Sequence, residues 1–552
     1  MRPLVFADCF GWIHDAPGDC GVVLCGAQGF EQFSAHAGWR ELADRIAAQG
    51  FPVLRFDYHG SGDSLGTDED PDRVATWQAN IADAVATLRD ETGVTRIVLI
   101  GLRLGALLAL DYAAKAGDVE GLVLLAPPRD GRAYIRELSA FARMSEHKPG
   151  TPDAINVMGF ELTPQTVAEL KAFRAAAPLA RRVLILTPSP RTASSERAAQ
   201  AGVDVSDGPF EGYTEFLSNP TIGETPEDAF ARVVAWLGTC PTRAGLPDLV
   251  ETASVGLATA SFVEEPVMFG PDAHLFGMLC QPSDGPSGSA FLLVNAGGNP
   301  HTGWARSSVR LARRLAAHGI ASFRIDVAGL GDSPAQPGRP AIVPYSADNP
   351  MDVQAAIDVL HARGVRQITV LGACSGAHLA LQSTLRDRRV SAVVLVNLLC
   401  FHWNEKDDLK AALRTSGRST GAYAARIWTL DSWKRLFAGQ LNWSRITGTF
   451  VHRVRRVLAV RAELLNPKSQ TRQIRRWFSE LVTRRASVVF VFTEGDQSID
   501  VFGLHMGEKR LRQNPDAHIV HIPGTDHDLT DRRAQETLAT MLLALPAPRA
   551  IN

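Results

Sequence analysis

One passage occurs twice in this chain, and that repeat limits the possible folds more than any other feature. LADRIAAQGFPVLRFDYHGSGDS begins at Leu42, and LARRLAAHGIASFRIDVAGLGDS begins 269 residues later at Leu311. The register holds through Gly50/Gly319, Asp57/Asp326, Gly60/Gly329, Gly62/Gly331, Asp63/Asp332 and Ser64/Ser333. Further on, each copy carries an apolar run, a Gly-x-X-x-Gly turn and a small-residue helix, VLIGLRLGALLA and TVLGACSGAHLA. The central residue is Arg103 in the first copy and Cys374 in the second. A chain of 552 residues exceeds a single core, so the repeat divides it into two domains of ordinary size. The expected boundaries are 1–240 and 263–552, joined by a linker over 241–262 that shows no sustained period.

Within each half, short apolar runs alternate with helical patterns, as parallel βαβ units require. The second half opens with a hairpin, PVMF and LFGMLC. Strands AFLLVNAGG, ASFRID, QITVLGA, SAVVLVNLL, SVVFVFTEG and HIVHIPG follow, and a helix over 531–545 closes it. The first half keeps the order with VVLCGAQG, PVLRFD, RIVLIGL, GLVLLAPP and RVLILTP, then a helix near 226–237. The fold class is α/β: two tandem domains of mostly parallel sheet flanked by helices.

A strand, a Gly-x-X-x-Gly turn and a helix force the central residue into a tight, strained conformation, and the glycines leave room for neighbouring backbone. The side chain is then presented at a helix N-terminus, which favours negative charge there. This arrangement resembles the α/β-hydrolase superfamily over nearly all of both halves. The Gly-x-Cys-x-Gly form in the second half is similar to the cysteine-nucleophile members, such as dienelactone hydrolases. Gly372 and Gly376 flank Cys374 symmetrically, which favours Cys374 over its neighbour Ser375 as nucleophile. In this fold the acid and then the histidine follow in chain order. Asp496, just past VFVFT, is the better placed acid, with Asp500 as the alternative; His527, after HIPG, is the base. His518 and His521 lie within the strand itself. One oxyanion donor would be the backbone of Ser375, and the other Gly297 or Gly298 in NAGGNPHTG. His301 in that loop is a candidate substrate contact or a solvated loop residue.

Every catalytic place differs in the first half. Arg103 is no nucleophile, no acid follows RVLILTPSP, and no histidine occurs between His147 and His274. Domain 1 is therefore not a hydrolase by this mechanism. Arg103 is expected either in an internal ion pair, with Asp57 or Asp63, or in a pocket for a carboxylate or phosphate. The GLRLGA and GACSGA elbows and LRFDYHGSGDS are also similar to bacterial hydrolases associated with exosortase A and exopolysaccharide gene clusters. That resemblance implies acyl processing near polysaccharide or other specialised biosynthesis.

Formal net charge is −2, yet between Phe401 and Ala486 there are 18 Lys and Arg against 6 Asp and Glu. This stretch, with Trp403, Trp428, Trp433, Trp443 and Trp477, lies where the fold inserts a helical lid. It reads either as a lid with a solvated basic face or as a docking surface for an acyl carrier protein, a coenzyme A thioester or an anionic lipid. No nucleic-acid module is present. Seven scattered cysteines without a CxxC pair argue against a disulfide scaffold or a zinc site and for a reducing, cytoplasmic setting. The N-terminal apolar run is broken by Asp8 and Asp15 and reads as an early strand, and no stretch is long enough to span a membrane.

The sequence thus leads to cysteine-dependent acyl transfer in domain 2, with an ester or thioester substrate and no metal or organic cofactor. Hydrolysis and transfer to an alcohol or amine are both open, and a peptidase is not excluded. The alternative is a non-catalytic binding or scaffold protein for an anionic ligand or acidic carrier.

Overall fold

The computed structural model describes residues 1–144, 150–176, 180–188, 204–240, 256–336, 344–403, 469–506 and 517–545. Domain 1 supplies strands β1 (Arg2–Phe6), β2 (Cys9–His14), β3 (Cys20–Cys25), β4 (Val53–Phe56), β5 (Arg96–Leu102) and β6 (Val119–Leu125). A small hairpin, β7 (Ile155–Val157) and β8 (Phe160–Leu162), precedes β9 (Arg182–Thr187) and β10 (Asp204–Pro209). Domain 2 contains β11 (Leu257–Ala258), β12 (Phe262–Phe269), β13 (Leu275–Pro282), β14 (Ser289–Leu293) and β15 (Ala321–Asp326). It continues with β16 (Gln367–Ala373), β17 (Val390–Val396), β18 (Ser487–Thr493) and β19 (Ala517–Ile522).

The first sheet runs β1-β2-β4-β3-β5-β6-β9-β10 and the second β11-β12-β13-β15-β14-β16-β17-β18-β19. Apart from the added β11, the two orders are the same. Only the leading strands are antiparallel. The central strands RIVLIGL and QITVLGA are apolar runs, buried for most of their length, because helices cover both faces of a parallel sheet.

Three sequence expectations change. β10 was not foreseen, because DVSDGP is a polar, largely exposed edge strand, paired in parallel to β9. Residues 241–255 of the expected linker lie outside the described residues, while β11 and the start of β12 fall within its remainder and begin the second sheet. Residues 404–468 of the basic insertion also lie outside. Its last part, the helix Gln470–Thr483, belongs to the domain 2 body, because Ile474, Phe478 and Leu481 share one face and enter the core with Phe490.

The two domains meet across a local two-fold exchange of repeat positions. Arg55 on β4 pairs with Asp332 of domain 2, and Arg324 on β15 pairs with Asp63 of domain 1, each at 2.7 Å. Phe10 and Phe276 stack near the centre, with ring centroids 6.0 Å apart. Trp304 of domain 2 inserts among Phe30, Phe33 and Phe160 of domain 1 and donates to the Met158 carbonyl. The repeated Gly-Asp-Ser turn has a steric reason. At Gly62 and Gly331, φ is +47° and +49°, and an added Cβ would fall 1.9 and 2.1 Å from the Asp57 and Asp326 carboxylates.

Candidate active site

Cys374 follows β16 directly and begins the helix Ser375–Arg386. Its backbone is strained (φ 53°, ψ −117°), a conformation that a β-carbon disfavours. The flanking glycines allow it. A Cβ on Gly372 would lie 2.0 Å from the Gly376 carbonyl oxygen, and one on Gly376 would lie 2.4 Å from that of Asn295. The same frame recurs at Arg103 (φ 55°, ψ −116°), where a Cβ on Gly105 would lie 2.2 Å from the Cys25 oxygen. Both copies therefore build the elbow, whatever side chain it carries.

Asp496 lies just beyond β18 and caps the helix Gln497–His505, its Oδ1 accepting from the Ser498 N–H at 2.8 Å. Its Oδ2 is 2.7 Å from His527 Nδ1. Burial would raise the Asp496 pKa, but the hydrogen bond and charge of His527 outweigh it and hold the carboxylate below its ordinary value. Burial pulls the His527 pKa down. The Cys374 sulfur and the Asp496 carboxylate outweigh that as well, and keep the imidazolium well above the histidine range. His527 Nε2 is buried with no hydrogen bond of good geometry among the described residues, so its strongest interaction on the side away from Asp496 is with the sulfur. Asp500 lies within the following helix, and the ring of His527 bonds Asp496. His518 and His521 are strand residues of β19.

The expected oxyanion donors are partly engaged. Ser375 is the first helical residue, where N–H groups lack intrahelical partners. Gly297 N–H donates to Ser375 Oγ at 2.7 Å, and Gly298 N–H donates across the domain boundary to Thr221 Oγ1 at 3.0 Å. His301 differs from its expectation as a substrate contact or solvated residue. It is fully buried between Asp326 and Asp63, each 2.6 Å from one ring nitrogen, and this clamps domain 2 to domain 1.

Arg103 forms the expected ion pair with other partners. Its Nε is 2.7 Å from Glu31 and its Nη2 is 2.5 Å from Glu137, with Tyr134 and Tyr213 against the guanidinium. Asp57 and Asp63 are not available: Gln32 and the Asp63 N–H hold Asp57, while His301 and Arg324 hold Asp63.

Sequence reasoning missed three neighbours of the elbow. Tyr345 stacks on Trp403 with centroids 4.4 Å apart, and burial together with the Cys374 and Cys400 sulfurs pushes its phenol pKa up. His378, whose Nδ1 lies 3.0 Å from the Cys400 carbonyl oxygen, is lowered by burial to about 4. Asn397, at the end of β17, binds both Thr493 and the His527 carbonyl. The comparison NLL against APP after the equivalent strands was the available signal for Asn397.

Residues 29–151 match the family model of serine aminopeptidases of type S33, and residues 291–540 match that of the alpha/beta hydrolase family. No curated protein shows significant sequence similarity to the chain. Among solved structures, Est1E from Butyrivibrio proteoclasticus with ferulic acid bound is similar at 18% identity and TM-score 0.31, covering 43% of this chain and 98% of that one. The Pyrococcus furiosus esterase Pf2001 matches at 14% identity and TM-score 0.31, covering 53% and 94%. Proline iminopeptidase of Mycobacterium smegmatis matches at 16% and 0.28, covering 43% and 97%. With both family models lying on one repeated sheet order, the chain is a tandem of two α/β-hydrolase-fold domains, carrying a thiol at the elbow of the second and a guanidinium at that of the first.

Proposed function

We propose that domain 2 is a cysteine-dependent acyl hydrolase or acyltransferase and that domain 1 has no acyl chemistry of its own. The observation that carries this reading is the order at one site: Cys374 on the strained elbow, then His527, then Asp496. Serine is the usual residue at this place in the fold. Here Cys374 takes that place beside His527, which carries the proton as the sulfur attacks. The sulfur attacks the carbonyl carbon of an ester or thioester, and the tetrahedral oxyanion is met by the Ser375 N–H. The second donor is the Gly297 N–H, released as the Ser375 hydroxyl turns away. His527 gives its proton to the leaving alcohol or thiol, leaving a thioester on Cys374. His527 then takes a proton from water, or from an acceptor alcohol or amine, as that group attacks and restores the thiol. The basic insertion suits an anionic thioester donor such as a coenzyme A or carrier-protein conjugate.

Intact-protein mass spectrometry after exposure to p-nitrophenyl butyrate and butyryl-coenzyme A tests this. Wild type gains one acyl mass and Cys374→Ala gains none. An unmodified wild type with no turnover of either donor overturns the proposal.

A further inference from the structure

A cavity lies in domain 1, against the elbow that carries Arg103. Its volume is about 350 Å³. An engineered apolar cavity of about 150 Å³ holds benzene, so this one accommodates a ligand roughly twice that size. Most of the wall is apolar, with Phe30, Leu138, Phe141, Ile155 and Phe160 among its residues. Domain 2 completes it through Ala305 and Arg306, on the loop that also carries Gly297.

Among the described residues, the buried polar atoms of the wall that lack a partner are of one kind. Arg73 is 4% exposed, and its Nε and Nη1 have no partner among the described residues. Its ion pair with Asp68 is long at 3.4 Å. Gln28, 5% exposed, accepts from Ser61 through Oε1, but its Nε2 is unpartnered. Arg306 spends its guanidinium on the carbonyls of Gly62, Ser64 and Gly66, and among the described residues no carboxylate forms an ion pair with it. All the free positions are donors, so the missing group is an acceptor. The wall carries four carboxylates, of which Asp68 is the one ion-paired with Arg73, while Glu161 accepts from the Gly150 N–H. Of the other nearby acids, Glu69 is held by Arg532, and Asp70 by Thr67 and His59. Arg103 is already neutralised by Glu31 and Glu137. The arginine end of the wall, Arg73 and Arg306 against Asp68, is thus short of one negative charge, which fits a carboxylate better than a doubly charged phosphate.

We propose that domain 1 is a binding domain for an apolar carboxylic acid, its carboxylate on Arg73 and Gln28 and its hydrocarbon or aromatic body among the phenylalanines. This site is separate from Cys374 and does not depend on its chemistry.

Titration calorimetry on the full chain carrying Cys374→Ala tests this, with decanoate and hydrocinnamate as probes. At least one should bind saturably at one site. Methyl decanoate, Arg73→Met and Gln28→Leu should each weaken binding by about tenfold or more, as loss of a charge-assisted bond to a buried anion predicts. Gln28→Leu gives up only the Ser61 contact, so it reports binding even if Arg73→Met does not fold, and thermal melts verify each variant. No saturable binding of either acid overturns the proposal. So does equal affinity for the methyl ester, or unchanged affinity in the folded variants. Displacement of decanoate by equimolar inorganic phosphate overturns the carboxylate assignment.

Discussion

Asn397 donates from Nδ2 to the carbonyl oxygen of His527 at 2.8 Å, linking the end of β17 to the loop that carries this histidine. The same nitrogen donates to Thr493 Oγ1 at 2.9 Å, and Oδ1 accepts the Thr493 N–H at 2.9 Å. Asn397 is fully buried and has φ of +49°, a left-handed backbone that asparagine tolerates better than most residues. One carboxamide therefore sets the separation of the strand leading to Asp496 and the loop bearing His527. Under the proposed function it is a positioning residue.

Replacing it with alanine should leave the Thr493 N–H and the His527 carbonyl without their partner, at a cost of about 1–3 kcal/mol for each buried group so exposed. Asn397→Ala is expected to lower kcat by about tenfold to a hundredfold, with KM close to wild type, as for other residues that orient a catalytic group. Steady-state hydrolysis of p-nitrophenyl butyrate measures both constants. A purely structural role would reduce the folded fraction while leaving kcat per folded molecule unchanged.

Asp496→Asn removes the negative charge beside His527 while preserving size. The Asp496 carboxylate is one of the groups that hold the imidazolium above its ordinary range. Its loss should move the alkaline limb of kcat/KM toward neutral pH, because His527 then gives up its proton at lower pH. The rate at the optimum should fall by about a hundredfold or more, since a mis-oriented ring is a poor acid and base. A profile from pH 5 to 10 tests this. An unmoved alkaline limb would show that His527 is not the proton donor.

The repeat and the β-strands of the core were legible because parallel strands buried on both faces are written as unbroken apolar runs, as in RIVLIGL and QITVLGA. Chain order alone then selected Cys374, Asp496 and His527 as a group that the fold brings together. β10 was not legible, because a polar, largely exposed edge strand carries no apolar run. The role of His301 was not legible either. A histidine in a glycine-rich loop gives no sign that a carboxylate from the other domain will meet it. Arg103 shows the same limit, for its partners Glu31 and Glu137 lie on separate helices far from it in sequence. Contacts between distant segments depend on how the sheets and helices assemble, and no local period encodes that.

His301 gives the domain interface a defined pH dependence. Burial alone would lower its pKa, but Asp63 and Asp326 outweigh that and raise it well above the ordinary histidine value. A histidine raised in the folded state contributes stability that is fully present below about pH 6.5 and is lost as pH rises through its folded value. Wild-type melting temperature should therefore fall on the alkaline side, above neutral pH. His301→Gln should melt lower at pH 7 and lack that alkaline component. Thermal melts of both proteins from pH 6 to 10 check this, and parallel curves would refute it.

Arg103 is a buried cation on the domain 1 elbow, and its removal should cost stability in a way its ion pairs determine. Glu31 is largely buried, whereas the Glu137 side chain is about half exposed, so Glu31 is the group left without compensation. Breaking one partner out of a buried pair costs about 3–5 kcal/mol, and the partial exposure of Glu137 places Arg103→Met near the lower end. Removing both members is milder, because neither a buried cation nor a buried anion is then stranded. Arg103→Met combined with Glu31→Gln should accordingly be more stable than Arg103→Met alone, with a coupling of about 1–3 kcal/mol. Urea denaturation of the wild type, both single variants and the double variant closes the cycle. Additive losses would mean that the guanidinium is held by the tyrosines and the Ala126 carbonyl rather than by Glu31.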